Sequence, residues 1–233
     1  MLKIYSFIIC AILYFPVSAQ KVDHSLWTNF LKNHVSNEGH VDYKKIKDNP
    51  ESLNIVLENL SKTIPNEQWS KNETLAYWIN AYNALTLDLI IRNYPVESIK
   101  DIKNPWEQRL WKLGNQKYNL EDIEHKILRK MNEPRIHFAI VCASYSCPKL
   151  LNEAYTAKHL EAQLTKAAKD FLSDSNRNSI TKDRLELSKI FKWFDSDFTK
   201  KGSLINFLNM YSDIKILENA NIKYKDYNWD LND

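Results

Sequence analysis

Residues 75–94 read LAYWINAYNALTLDLIIRNY. Leu75, Trp78, Ile79, Tyr82, Leu85, Leu89 and Ile90 recur at helical spacing and form a wide apolar face. Ser70-Lys71-Asn72-Glu73 precedes the run as a capping box, in which Ser70 accepts from the Glu73 amide and Glu73 reaches back to Ser70. Pro95 ends it. Only Asp88 and Arg92 mark a wet side. The reading is a central helix over about 71–93, buried on most of its surface.

Outward from this helix the pattern stays mainly helical. His24 to Val35 is amphipathic, with Trp27, Phe30 and Leu31 inward, and a second helix runs near Glu51 to Lys62. Gly114-Asn115 marks a tight turn with short strands on either side. Asn119 caps a helix that continues to about Met131. His137 to Cys142 reads as a short inner strand, and Pro148 as the first turn of a further helix. Leu160 to Leu172 is helical, Arg184 to Ile190 alternates like a strand, Ser203 to Tyr211 is a short helix, and Ile222 to Tyr227 is a last strand. Helices outnumber strands without alternating with them. The fold class expected is α+β: a mainly helical single domain with a small, mostly antiparallel sheet and the central buried helix.

The first residues, MLKIYSFIICAILYFPVSA, have the three parts of a secretory signal peptide. Lys3 is its positive region, Ile4 to Phe15 its apolar core and Val17-Ser18-Ala19 its cleavage site, so 1–19 is expected to be removed. Residues 20–233 then form one domain that is periplasmic or secreted, with no integral membrane segment. The formal charge of the 233 residues is +3, and it falls by one when Lys3 is lost. A nearly neutral chain gives no reason to expect nucleic acid as a partner. With three glycines it has no Gly-rich phosphate loop, and no cofactor is expected.

Three conflicts between pattern and chemistry stand out. Asn80 and Asn83 share a face with Ala76 and Leu87 on the buried helix. They either tie it to neighbouring loop backbone or line a site and orient a substrate. Glu124 falls in the middle of the apolar stripe Leu120, Ile123, Ile127, Leu128 and Met131. It needs a partner, either Arg135 in a structural pair or His137 in a catalytic one. His125 lies on the flank of that stripe.

The third conflict is HFAIVCASYSCPKL, residues 137–150. Cys147 precedes Pro148, so it can sit at a helix N-terminus, where the thiolate is favoured. Cys147 as nucleophile, His137 as base and Glu124 as orienting group form a three-part thiol site, with nearby amides for an oxyanion. Ser144 is a weaker nucleophile and a candidate substrate contact, as is Arg135. Alternatively, Cys142 and Cys147 pair as a disulfide in an exported protein. His137, Cys142 and Cys147 match no standard zinc spacing, so no metal is expected.

These blocks resemble the domain of unknown function 547 family. The likeness is carried by YWINAYNAL at 77–85, LEDIEHKILR at 120–129, EPRIHFAIVCASYSCPKL at 133–150, LELSKIFKWF at 185–194 and YNWDLN at 227–232, and it is strongest over 73–150. It covers most of residues 20–233 and implies no established activity. It places Asn80, Asn83, Glu124, His125, Arg135, His137, Cys142, Ser144 and Cys147 in motif blocks. Asn228 stands where the family pattern leads one to expect Asp. Two functions follow as expectations. One is a thiol-dependent hydrolase or acyltransferase of the cell envelope, acting on peptide or amide bonds. The other is a non-catalytic envelope binding module, with a structural Cys142–Cys147 disulfide and the tryptophans 106, 111, 193 and 229 around a ligand cleft. In either case the ligand is a small molecule or a peptide.

Overall fold

The computed structural model describes residues 22–233. The expected signal peptide, with Cys10, lies outside the described residues. Four helices come first: α1 (Ser25–His34), α2 (Tyr43–Asp48), α3 (Glu51–Lys62) and α4 (Lys71–Asn93). Helix α4 starts at the expected capping box, with both Ser70 and Glu73 bonds present. Residues 75–91 are all buried, so this helix runs through the core rather than along its edge. Of the two residues expected to mark a wet side, Arg92 is exposed but Asp88 is not. Asp88 is buried, and its carboxylate accepts from Arg92 Nε at 2.5 Å and from the Trp111 indole at 2.6 Å. Trp111 thus covers the one charge on the inner length of the helix.

Strands β1 (Trp111–Leu113) and β2 (Gln116–Tyr118) form an antiparallel hairpin, with Trp111 opposite Tyr118. A second sheet joins β3 (Ser179–Ile180), β4 (Arg184–Leu187) and β5 (Asn221–Tyr224). Its β3–β4 pair is antiparallel and its β4–β5 pair parallel. Helix α5 (Leu160–Ser173) and the short α6 (Ile190–Trp193), α7 (Asp195–Phe198) and α8 (Leu204–Leu208) complete the element order. The architecture is α+β with a small sheet, as the sequence pattern implies. One apolar cluster surrounds α4. A second is built on Phe138, Phe171, Phe191, Phe198 and Phe207. Among the described residues no helix is long and apolar enough to cross a membrane.

Two local expectations are corrected, and a third is met with an unusual winding. His137 to Cys142 is not a strand. Pro134–Phe138 is a 3-10 turn opened by Pro134, with the Glu133 carboxylate accepting from the Arg135 amide. The chain beyond it is irregular, and its backbone is satisfied by a side chain instead of a neighbouring strand. Asn83 donates to the Ala139 carbonyl and accepts from the Val141 amide, both at 2.9 Å. Nor does Pro148 open a helix, since the next one begins at Leu160. The intervening amides are taken by side chains: Ala154 by Thr28, Tyr155 by Asn80 and Thr156 by Gln163. Finally, Asn119 caps its helix as expected, accepting from Asp122 at 2.7 Å. That helix is wound as a π-turn over Asp122–Ile127 and a 3-10 turn over Leu128–Met131. Asn132 then ends it at a φ of 53°, a conformation asparagine tolerates.

Asn83→Ala strips partners from a buried carbonyl and a buried amide at once. We expect the variant to lose about 2–4 kcal/mol in urea denaturation. A near-neutral result would mean that water or rearranged chain replaces the carboxamide.

Candidate functional site

Cys142 and Cys147 lie on the turn that follows this irregular chain. Among the described residues both are free thiols. The disulfide expected as an alternative is therefore not formed in the structure. Ala143 between them has a φ of 60°, a left-handed conformation that costs a non-glycine residue energy and clusters at functional sites. This bend turns the chain so that the Cys142 amide donates to Cys147 Sγ at 3.0 Å. Ser144 Oγ lies 3.3 Å from both sulfurs. Tyr227 OH lies 3.3 Å from Cys147 Sγ and 3.5 Å from Cys142 Sγ.

The turn is pinned from outside. Tyr145 and Ser146 donate their amides to the carbonyls of Asp230 and Asn228 at 2.6 and 3.2 Å, and Asn232 donates to Ala143 at 3.2 Å. Asn228 binds back through its own amide to Ser146 Oγ at 2.9 Å. Arg177 donates to the carbonyls of Cys147 and Tyr145, each at 2.7 Å, while paired with Asp174.

Burial alone pushes the Cys147 thiol up. Hydrogen bonds from Cys142, Ser144, Tyr227 and the backbone outweigh it and hold the thiol below its ordinary value. Cys142 moves the opposite way: its hydrogen bond to Cys147 and its burial push it well up. Of the two, Cys147 is therefore the thiol whose ionised form is favoured. No helix terminus contributes, because none begins at Pro148. The thiolate rests on discrete donors in place of the expected dipole.

Cys147 lines a cavity of about 190 Å³ together with Glu124, His125, His137, Tyr82 and Tyr227, under a rim that includes Trp106, Trp193 and Trp229. The three residues of the expected thiol site are thus brought to one cavity, with different partners from those foreseen. Glu124 does not pair with Arg135 or His137. It accepts from Tyr82 OH at 3.1 Å, and burial pushes its carboxyl up to about 7 despite that bond. His137 is oriented by Asp197, with Nε2 at 2.9 Å from Oδ2, and stacks on Phe194 with ring centroids 3.9 Å apart. Burial lowers His137 by more than Asp197 lifts it, so the ring is neutral and Nε2–H is the donor. Burial raises the Asp197 carboxyl, but His137 and Arg129, the latter at 2.6 Å, outweigh it and hold it well below the carboxylate range. His125, lowered by burial and then by Arg129, accepts from that arginine at 2.9 Å.

The remaining predicted residues lie elsewhere. Asn80 binds the amide and carbonyl of Tyr155 at 2.9 and 2.8 Å and, like Asn83, serves loop backbone. Arg135 is gripped by Glu133 and Glu161, with contacts from 2.6 to 2.8 Å, and by Thr165. Ser144 is fully buried behind the sulfurs. The amides expected to serve an oxyanion are occupied: Cys142 by sulfur, Tyr145 and Ser146 by the 228–230 carbonyls, and Cys147 by Ser144 at 3.0 Å. Among the described residues, no group of three or more His, Cys, Asp or Glu is placed to hold a metal.

Sequence reasoning missed Asp197, Tyr82 and Tyr227. Asp197 carried the same signal that exposed Glu124. It stands three residues after Phe194 and beside Phe198, a carboxylate on an aromatic stripe. The two tyrosines look like ordinary apolar positions, and nothing in their spacing shows that their hydroxyls are used.

The fold and site define a small α+β protein with a buried, asymmetric pair of thiols at the base of an aromatic cavity. Residues 66–172 match the family model described as Protein of unknown function, DUF547, so that segment belongs to the domain of unknown function 547 family, as its motifs imply. No curated protein and no solved structure matches the chain.

Asp197→Asn leaves Arg129 and His137 without their anion. We expect a loss of about 3 kcal/mol at neutral pH. A carboxyl held below its unfolded value contributes fully above about pH 4 and loses that contribution as pH falls further. The gap between wild type and variant in urea titrations should therefore close on acidification below about pH 4. A constant gap would show that Asp197 acts through packing alone.

Proposed function

We propose that this protein is a thiol-dependent hydrolase or acyltransferase, exported to the cell envelope, with Cys147 as nucleophile. The observation that carries the reading is the Cys147 sulfur itself. It is a buried acceptor surrounded by an amide, two hydroxyls and a second thiol, and it faces a cavity shared with two imidazoles and a carboxyl. Structural cysteines in apolar surroundings are inert and have raised pKa values. This one is arranged to hold negative charge.

The chemistry runs in two steps. The thiolate adds to an acyl carbonyl, and the leaving group departs with the proton held by Glu124. A protonated carboxyl is also an O–H donor, and it can serve the oxyanion in place of the occupied amides. In hydrolysis, water then gives its proton to His137, whose imidazolium Asp197 stabilises. The carbon–sulfur bond breaks, the thiolate is restored, and the proton passes to Glu124. With an alcohol or amine in place of water the same cycle transfers the acyl group.

One observation favours a second reading. The two sulfurs share both hydroxyl partners, Ser144 and Tyr227, and a disulfide between them is the alternative state. In that form the nucleophile is absent, and the indole-rimmed cavity is a binding cleft. Intact mass after alkylation, with and without prior reduction, separates the two in protein taken from its native compartment. Two alkyl groups without reduction support the enzyme; none until reduction supports the binding module.

With the reduced protein, iodoacetamide should label Cys147 with an inflection at least about one pH unit below the ordinary thiol value near 8.5. Ser144→Ala should move that inflection up. Turnover should be bell-shaped: it rises as the Cys147 thiol ionises and falls above about 7 as Glu124 loses its proton. Glu124→Gln should remove the alkaline limb. An ordinary thiol titration at Cys147 sinks the proposal.

A further inference from the structure

The cavity wall also speaks to what reaches the sulfur. We infer that Cys147 accepts compact acyl groups with a flat body and no negative charge, aromatic ones best, and not the interior bonds of a peptide chain. The inference rests on the thiol chemistry proposed above and names its substrate class.

Three observations carry it. The first is size. At about 190 Å³ the cavity lies below the range of roughly 300–1,000 Å³ of pockets that enclose drug-sized ligands. It has room for an acyl end but not for chain running past on both sides. The second is shape. Trp193 and Trp229 stack with centroids 5.8 Å apart, and Trp106 meets Trp229 edge-on at 6.0 Å. Trp193 is 45% exposed although it lines the cavity, so part of its ring is open at the mouth. Such faces favour flat rings in offset or edge contact.

The third is charge. Among the described residues that line the cavity there is no lysine or arginine. A carboxylate on the acyl group would enter beside the Cys147 thiolate without a counter-ion. In the acylation step the Cys147 sulfur–carbon bond forms and the bond from the carbonyl to the carrier oxygen or sulfur breaks. The carrier then leaves with the Glu124 proton.

The test uses the full reduced protein and N-acetylcysteamine thioesters of benzoic, acetic and succinic acids, with Cys147 acylation followed by intact mass and free thiol release. Benzoyl transfer should outrun acetyl by about tenfold or more, and the succinyl group should fall behind acetyl by a similar factor. Trp193→Ala, at an exposed position that does not threaten the fold, should shrink the benzoyl-to-acetyl ratio. A capped linear peptide should remain uncut. Equal rates, the succinyl group in the lead, cleavage of the peptide, or no acylation by any thioester would each overturn the substrate class. If iodoacetamide still reports an activated Cys147 in those cases, the thiol reading stands and this inference alone falls; an ordinary thiol titration removes both.

Discussion

Everything near the sulfurs hangs on one carboxamide. Asn83, within the most deeply buried helix, brackets the chain at Ala139 and Val141 and does for it what a neighbouring strand does in a sheet. A buried segment with no partner strand must find donors and acceptors from side chains. Satisfied in this way, it is free to bend two residues later at Ala143, where a pleated strand would have continued straight. The bend folds the Cys142 amide back onto Cys147. The polar residue inside an apolar helix thus permits the irregular geometry on which the thiol pair depends.

The large features were legible in the sequence because they rest on repetition. The central helix follows from apolar spacing over many residues and from a capping box that local geometry alone specifies. The errors share a physical origin. His137 to Cys142 has the composition of a buried strand, but composition does not reveal that Asn83 will replace the partner. Pro148 permits a helix start without requiring one, and the following amides were claimed by Thr28, Asn80 and Gln163 from distant parts of the chain. Asp88 was read as wet because a carboxylate usually is, and the covering indole of Trp111 comes from a separate hairpin.

The site was legible in part for the same reason. Cys147, His137 and Glu124 were singled out because each breaks its local pattern, and all three line one cavity. Their pairings were not readable. Each is settled by a group far away in sequence: Tyr82 for Glu124, Asp197 for His137, Tyr227 for Cys147. A side chain that violates a pattern announces that it has a partner. Only the packed chain says which one.

Tyr227 and the 228–232 segment reach the thiol turn from about 80 positions downstream. That separation has a consequence for biogenesis. While the chain is being made, the segment holding Cys142 and Cys147 is complete long before the hydroxyl and carbonyls that shape it exist. A nascent or nicked molecule therefore lacks those partners, and the hydrogen-bonded surroundings of Cys147 are complete only when the distal segment docks. The setting of that sulfur is in this sense a late property of the finished molecule.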